Sequence, residues 1–194
     1  MRLVTAATAA DDWKLLDATL RGDERAARML VRRHGGRLHA CALRMLGDPG
    51  SAEEVVQDTF DQLFRSARAL RRDSRLATWL HAVLVNRCRD ILRRSSFRLA
   101  MRVQPLAVDM ADPSSDAHQA LVERERDARV QCALQAISPD LREVIALRFA
   151  SGLSYPEIAA SLGCREGTVA SRLHRALVRL GAQLRATGFT REEV

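Results

Sequence analysis

Arginines recur at helical spacing near the end of the chain, and the chemistry of arginine suits nucleic acid. In GCREGTVASRLHRAL, residues 163–177, a period of 3.6 residues places Val169, Leu173 and Leu177 on one apolar face, which Leu180 extends. The polar side chains around the rest of this helix and its preceding turn are Arg165, Thr168, Ser171, Arg172, His174, Arg175 and Arg179. Arginine donates paired hydrogen bonds to guanine, and serine and threonine reach phosphates or base edges. The pattern predicts either a solvated helix face or a helix that contacts DNA.

The segment before this helix favours contact with DNA. In SGLSYPEIAASLG, Ser154 and Glu157 have the spacing of a capping box at the start of a short helix. The turn SLGC then leads into the arginine-bearing helix, with Ile158, Leu162 and Val169 placed to close the angle between the two helices. These lengths predict a helix-turn-helix, whose second helix enters the major groove with its N-terminus first.

The sequence carries no pattern typical of a catalytic or metal site. Its histidines show no HExxH spacing, and it contains no glycine-rich phosphate loop or nucleophile motif. The four cysteines lie at least 32 residues apart without a CxxC pair, which predicts reduced, mostly buried thiols. His34 and His39 are expected at the surface. We therefore expect no metal, no cofactor and no enzymatic activity.

Positive charge is concentrated in the first half of the chain. The 194 residues include 31 Lys and Arg against 24 Asp and Glu, and only Lys14 among the basic residues is not arginine. Residues 1–104 carry a net charge of +8, residues 105–137 carry −3 and residues 138–194 carry +2. This distribution favours a nucleic-acid partner. Because no apolar run has membrane-spanning length and the first residues do not resemble a signal peptide, we expect a cytoplasmic protein without direct membrane insertion.

The elements that position these side chains are all expected to be helices, because apolar residues recur with helical periodicity and no long alternation indicates a strand. GDPGSAEE, residues 47–54, separates two helices, and Ser51 is expected to cap the second. A polar break, RALRRDSRLA, precedes TWLHAVLVNRCRDILRR, whose arginines flank an apolar stripe. PLAVDMADPSSD, residues 105–116, has the composition of a linker. We predict two small all-α domains, 1–100 and 117–194, joined by a short linker at 101–116.

Three segments in a fixed order resemble a known family. AEEVVQDTF and TWLHAVLVN, in the first predicted domain, look like region 2 of bacterial sigma factors. GLSYPEIAASLG and the helix after it look like region 4. The short linker is similar to the layout of the extracytoplasmic-function (ECF) group. The resemblance implies an RNA polymerase subunit that directs the core enzyme to promoters.

The resemblance also implies where polymerase binds. The helix AEEVVQDTF would dock on the clamp helices of the largest polymerase subunit, while region 4 would meet the flap of the second-largest subunit. The expected docking residues are Glu54, Gln57, Asp58 and Asp61. An acidic face within a basic domain fits a basic protein partner better than DNA. The alternative, carboxylates that only compensate the helix dipole, applies mainly to Glu53 and Glu54.

In the same way, the loop RRDSRLAT and the helix after it match the reader of the −10 promoter element, which holds one base outside the stack. The residues expected there are Arg71, Ser74, Arg75, Leu76, Asn86, Arg87, Arg93 and Arg94. Asn86 is the preferred specificity residue, because asparagine reads a base edge. Trp79 lies on the apolar stripe, which favours core packing over base stacking. The polar residues of the second helix of the helix-turn-helix and its turn, from Arg165 to Arg179, would read the −35 element.

Four residues depart from the family pattern. Arg72 stands where the loop often has glycine, and Leu76 and Ala77 stand where an aromatic residue is common, which predicts weak opening of the strands. Ala170 stands where the −35 helix commonly has arginine. One guanine contact is therefore lost, or is supplied by Arg172 or Arg175.

A sigma factor of this group is commonly held by an anti-sigma factor, often membrane-bound, and the resemblance implies such a partner. Two other functions stay open. One is a self-sufficient helix-turn-helix regulator that binds duplex DNA alone, with residues 1–100 as a sensing domain. The other is an all-helical enzyme or metal protein, which the histidine spacing disfavours.

Overall fold

A computed structural model describes the backbone of residues 5–72, 75–101 and 117–186, and the side chains of 11–72, 75–94 and 125–186. These parts of the chain are helical without a strand, which confirms the all-α prediction. The helices are α1 (Thr5–Leu20), α2 (Glu24–Leu46), α3 (Pro49–Ser66), α4 (Leu76–Met101), α5 (Ala117–Gln135), α6 (Pro139–Ile145), α7 (Tyr155–Leu162) and α8 (Glu166–Ala186). A single 3₁₀ turn (Ala67–Ala69) follows α3, and a π-helical turn (Ala146–Ala150) continues α6.

The break between α2 and α3 is made by three consecutive residues. Gly47 ends α2 in the left-handed conformation, at φ 80°, and its N–H donates to the carbonyl of Leu43. Asp48 caps α3, since its carboxylate accepts a 2.7 Å hydrogen bond from the Ser51 N–H. Pro49 follows at the first helical position, where its missing N–H costs nothing. The expectation that Ser51 caps α3 is therefore wrong: the cap and the start of the helix lie three residues earlier, because Asp48 supplies the acceptor.

The first four helices enclose a core of leucines. Leu16 of α1, Leu30 and Leu38 of α2, Leu63 of α3 and Leu84 of α4 have no exposed surface. Each of these leucines lies on the apolar stripe of an amphipathic helix, so burying the stripes against one another fixes the packing of the four helices. The core accordingly holds α3 and α4, which carry the predicted polymerase and −10 residues, side by side.

The last four helices pack around α6. Val144 on α6, Ile158 on α7 and Val169 on α8 are fully buried, with Leu147 of the π turn. Pro139 begins α6 immediately after Ser138, as expected for an N-cap followed by proline at the first position. This arrangement holds α7 and α8 at the angle of a helix-turn-helix.

The two groups of helices pack directly against each other, and their buried side chains form one continuous core. Arg142 of α6 is 5% exposed, and its Nη1 donates a 2.6 Å hydrogen bond to the Met45 carbonyl of α2. Ser161 of α7 donates through Oγ to the Thr78 carbonyl of α4, at 3.2 Å. The predicted linker lies almost entirely in residues 102–116, outside the described part, so its bounds stay a prediction.

Histidines and cysteines depart in part from the expectations. His34 is buried, not at the surface, because its Nε2 lies 3.0 Å from Asp12 Oδ2. Cys41 and Cys88 are buried, and burial raises the pKa of the Cys41 thiol to about 12. Cys132 is exposed. The expectation of mostly buried thiols is thus met only by the cysteines of α2 and α4.

Candidate nucleic-acid and polymerase interfaces

The acidic residues of α3 form one exposed stripe. Glu54, Gln57, Asp58 and Asp61 recur three or four residues apart, and all four side chains are exposed. The opposite face of the helix is buried. Among the described residues, one ion pair within α3 involves the stripe. It joins Asp61 Oδ2 to Arg65 Nη2 over 3.8 Å. The four residues thus share one exposed face of α3, and polymerase docking on that face stays a prediction.

The acidic stripe borders the basic flank of α4. Arg87 Nη2 donates a 3.3 Å hydrogen bond to Gln62 Oε1 of α3, and Arg87, Asp58 and Asp61 line one shallow pocket. The predicted polymerase-docking residues of α3 therefore adjoin a predicted phosphate-binding arginine of α4. This neighbourhood could not be predicted from sequence, because it depends on how α3 and α4 pack.

Two neighbouring arginines of the loop before α4 differ in their contacts. Arg71 is exposed. Arg72 hydrogen bonds both oxygens of Asp17 on α1, and its guanidinium lies 5.6 Å from the centre of the Trp13 ring. The hydrogen bond from Arg72 lowers the pKa of Asp17. The residue that stands where the family often has glycine is thus bound to α1, while Ser74 lies outside the described residues.

The first turn of α4 packs against α7. Arg75 Nη1 donates a 2.7 Å hydrogen bond to Glu157 Oε1. Leu76 has no exposed surface, which contradicts the expectation that it lines a base pocket in this arrangement of the helices. Its burial follows from its place on the apolar side of α4, one turn before Leu80. Trp79 is half-buried against the core, as expected for core packing.

Further along α4, the predicted DNA-binding residues are accessible. Asn86, Arg87, Arg93 and Arg94 are exposed, and Arg93 pairs with Asp90 one turn earlier. A residue outside the predicted set lies beside them. Arg89 donates through Nε and Nη2 to the two carboxylate oxygens of Glu143 on α6, at 2.9 and 2.8 Å. Only the packing of α4 against α6 reveals this pair.

The helix-turn-helix has the predicted capping box. The Ser154 N–H and Oγ both donate to Glu157 Oε2, at 2.9 and 2.6 Å. Burial of Glu157 works to raise its pKa, but the hydrogen bonds from Ser154 and the charge of Arg75 outweigh it, so the pKa is lowered. Gly163 ends α7 at φ 63°, and α8 begins at Glu166.

The outer face of α8 is basic and hydroxylic. Of the residues predicted to contact the −35 element, Ser171, His174, Arg175 and Arg179 on α8 and Arg165 in the turn are exposed. Thr168 is half-buried. Arg172 differs, because its Nη1 lies 3.6 Å from Glu143 Oε1 and its side chain is 28% exposed. Leu177 is 44% exposed, although it was expected in the core face. Ala176 takes its place, since it is fully buried beside Leu173.

An apolar groove runs between α2, α5, the π turn and α8. It has a volume of about 420 Å³. Phe149 stands at its edge with 62% of its surface exposed. The groove is lined by Ala40, Arg44, Val130, Leu134, Ile145, Ala146, Phe149, Ala150, Leu177 and Leu180. Phe149 was not among the residues predicted from the sequence, although a large apolar residue next to the turn SGLS was a signal for an exposed contact.

Two negative findings concern the described residues alone. Within 5–72, 75–101 and 117–186, no group of three or more His, Cys, Asp or Glu side chains is placed to hold a metal ion. None of the helices over the same ranges combines the length and the apolar character that a membrane crossing requires.

The chain matches two known protein families and several curated relatives. Residues 30–98 match Sigma-70 region 2, and residues 127–180 match Sigma-70, region 4. The ECF RNA polymerase sigma factor SigE of Mycolicibacterium smegmatis is 36% identical over 75% of this chain and 56% of its own length. RNA polymerase sigma-H factor of Pseudomonas aeruginosa is 30% identical over 87% of this chain and 91% of its own. The ECF RNA polymerase sigma factor SigM of Mycobacterium tuberculosis is 32% identical over 89% of this chain and 84% of its own length.

Two solved structures are similar to the whole arrangement. CnrH, in complex with the cytosolic domain of CnrY, has a TM-score of 0.68 and 29% identity, covering 91% of this chain and 98% of that one. The sigma factor RpoE of Bartonella quintana, in complex with the anti-sigma factor NepR, has a TM-score of 0.66 and 28% identity. The match covers 81% of this chain and 96% of that one.

Proposed function

This chain belongs to the sigma-70 family, in its ECF group, and from that membership we propose which of its surfaces recognise polymerase, promoter and regulator. A sigma factor of this group is a transcription initiation factor. The observation that carries the assignment of surfaces is the presence, in one chain, of an exposed acidic stripe on α3 and separate basic faces on α4 and α8. The chain acts as a binding subunit, and the chemistry of RNA synthesis belongs to core polymerase.

The acidic stripe of α3 docks on the clamp helices of the largest polymerase subunit. Glu54, Gln57, Asp58 and Asp61 present carboxylates and an amide to a basic partner. The apolar groove provides the second contact. Phe149 and Leu177 are large, exposed and adjacent to the groove, which favours an apolar helix of the flap of the second-largest subunit as its occupant.

The exposed flank of α4 binds the −10 element. Asn86 reads a base edge, while Arg87, Arg93 and Arg94 hold phosphates along the displaced strand. Arg71 is exposed at the start of the loop and joins this surface. The start of α4 has the aliphatic Leu76 and Ala77 in place of an aromatic base platform, which supports weak strand opening and a demand for a good promoter.

The outer face of α8 binds the −35 duplex. Ser171 and Arg175 lie near the N-terminal half of the helix, where a recognition helix enters the major groove. Arg175 reads guanine, and Arg165, Thr168 and Arg179 contact phosphates. His174 is exposed on the same side and completes the surface.

The two DNA-binding faces separate when the promoter is bound. Elements named −35 and −10 lie about 25 base pairs apart, or about 85 Å at 3.4 Å per base pair. Yet Arg89 of α4 and Arg172 of α8 lie 2.8 and 3.6 Å from the same oxygen of Glu143. Helices joined through one carboxylate cannot reach both elements at once. The packed arrangement is therefore a closed form, which opens on polymerase and promoter.

An anti-sigma factor binds the free chain. The complex of the sigma factor RpoE with the anti-sigma factor NepR supports this partner, because RpoE shares the architecture of this chain, and CnrH, which also shares it, is likewise bound to a second protein, CnrY. CnrY contributes a cytosolic domain to its complex, which supports a regulator held at the membrane. The sigma factor itself stays in the cytoplasm and reaches the membrane only through that partner.

Transcription with purified components tests the assignment. We expect promoter-specific transcripts from fragmented genomic DNA when this chain and core polymerase are both present, and none when either is omitted. Sequencing those transcripts would identify the promoters. Failure to retain core polymerase in a pull-down would refute the proposal. Tight binding of a palindromic duplex by the chain alone would instead favour a self-sufficient regulator.

A further inference from the structure

Glu143 is a buried carboxylate that both DNA-binding helices share. It lies on α6, its side chain is 3% exposed, and Arg89 of α4 bonds both of its oxygens. Arg172 of α8 lies beside the same carboxylate, with Nη1 3.6 Å from Oε1. A buried carboxylate requires a positive partner or hydrogen-bond donors, because removing the partners of a buried charge is strongly destabilising.

Arg172 is placed differently from its neighbours on α8. Ser171 and Arg175 are exposed on the outer face, whereas Arg172 points along the side of the helix that packs on α6. It is one turn from two buried residues, Val169 and Ala176. Its guanidinium is therefore at the junction of α6 and α8, where it can fix the rotation of α8 about its axis.

Opening of the closed form changes the partners of Glu143. When α4 moves away with the −10 element, Arg89 leaves Glu143. Of the two described arginines that pair with this carboxylate, Arg172 of α8 then remains. Moving Arg172 outwards to a base would then leave the Glu143 carboxylate without either of its arginine partners. That cost opposes a base-reading role for Arg172 and favours a closer ion pair with Glu143 in the open form.

We infer that Arg172 is a positioning residue of the −35 helix, held by Glu143, and does not read a base. The inference rests on the proposed function of α8. Bonded to Glu143, Arg172 sets the angle at which Ser171 and Arg175 face the major groove. The guanine contact that Ala170 cannot make therefore has Arg175 as its substitute, because Arg172 is already engaged.

A double-mutant cycle on the holoenzyme tests this inference. The full chain is assembled with core polymerase, and its affinity is measured for a promoter found by transcript sequencing and for a set with each −35 base pair changed. The variants are Arg172→Ala, Glu143→Gln, their combination, and Arg172→Lys. Arg175→Ala serves as a matched control from the outer face of the same helix.

A positioning role predicts a uniform loss. Arg172→Ala and Glu143→Gln should each weaken binding to every −35 sequence by a similar factor, roughly five- to thirty-fold. The double variant should be no weaker than either single variant, because both remove the same ion pair. Arg172→Lys should recover most of the affinity, since a lysine keeps the charge beside Glu143. The dependence of affinity on salt should have an unchanged slope.

Three results would overturn the inference. The first is a loss of preference at one base pair in Arg172→Ala, which marks a base reader. The second is additive losses in the double variant, which show that the two residues act separately. The third is a salt slope lowered by about one, which marks a phosphate contact. If Arg175→Ala also left the preference for every −35 base pair unchanged, the proposal that α8 reads the −35 element would be wrong instead.

Discussion

Arg75 and Glu157 join the loop before α4 to the helix-turn-helix through a hydrogen bond of 2.7 Å between Nη1 and Oε1. Glu157 also caps α7 through Ser154, so one carboxylate serves the local helix and the contact between domains. The ionised form of Glu157 is required for both. Acid should therefore loosen the closed form and the start of α7 together.

The stability contributed by Glu157 should depend on pH. Its pKa in the folded chain is lowered from the ordinary value of 4.5, so the contribution is present above pH about 4.5 and is lost as the pH falls through the lower, folded value. We expect Glu157→Gln to be less stable than the natural chain near neutral pH, and the difference to shrink on acidification. Urea unfolding at several pH values measures it. A constant difference would contradict the role of the charge.

Reversing the charge of the α3 stripe should weaken polymerase docking. Asp58→Lys combined with Asp61→Lys places two positive charges before a basic partner, which should raise the dissociation constant at least about tenfold. Binding of core polymerase, followed by fluorescence anisotropy, measures the change. Asp11→Lys combined with Glu24→Lys is the matched control, because it adds the same charge at exposed residues of α1 and α2, outside the stripe. An equal loss in the control would mean that overall charge, not this face, sets the affinity.

Removing the aromatic ring at the apolar groove should weaken the contact with the flap. Phe149→Ser deletes a side chain that is 62% exposed in the free chain and would be buried by the partner. We expect a five- to thirty-fold loss, from roughly 1–2 kcal/mol of lost apolar burial. Binding to an isolated flap fragment measures it. Val178→Ser, at a residue 57% exposed on α8 but not among the groove residues, should have little effect.

Adding an arginine to α8 should strengthen −35 binding. Ala170 is exposed on α8, beside Ser171, so Ala170→Arg can reach the major groove without disturbing the core. Where the −35 element offers a guanine, the holoenzyme should bind at least about fivefold more tightly, from one added contact of roughly 1–3 kcal/mol. Ala182→Arg adds the same charge about 18 Å further along α8 and controls for it. Equal gains in both variants would indicate general attraction to DNA.

Local features of this fold follow from the sequence because their causes are local. The capping box of Ser154 and Glu157 needs only residues three apart, and helical periodicity places Val169 and Leu173 inside. The exposed stripe of α3 is set in the same way. Asp48 shows the limit of this reasoning, since two residues three positions apart, Asp48 and Ser51, both had the chemistry of a cap and only the backbone geometry decides between them.

Contacts between distant helices could not be predicted in this way. Leu177 reads as a core residue on a helical wheel, but no neighbouring side chain covers it in the groove, so it is 44% exposed. His34 is polar and reads as a surface residue, yet Asp12 on α1 satisfies it inside the protein. The pairing of Arg89 with Glu143 joins residues 54 positions apart. Each outcome depends on which helix packs beside the residue, which no local pattern specifies.

The apolar groove has a consequence for affinity that follows from its walls. Ala40 and Arg44 of α2 line one side, while the remaining lining residues belong to α5, α6, the π turn and α8. A flap helix that docks on the region 4 side therefore competes with α2 for the same surface. The apparent dissociation constant for polymerase then equals the intrinsic constant divided by the fraction of molecules that are open. Substitutions that loosen the closed form should thus tighten polymerase binding without touching polymerase, in proportion to that fraction.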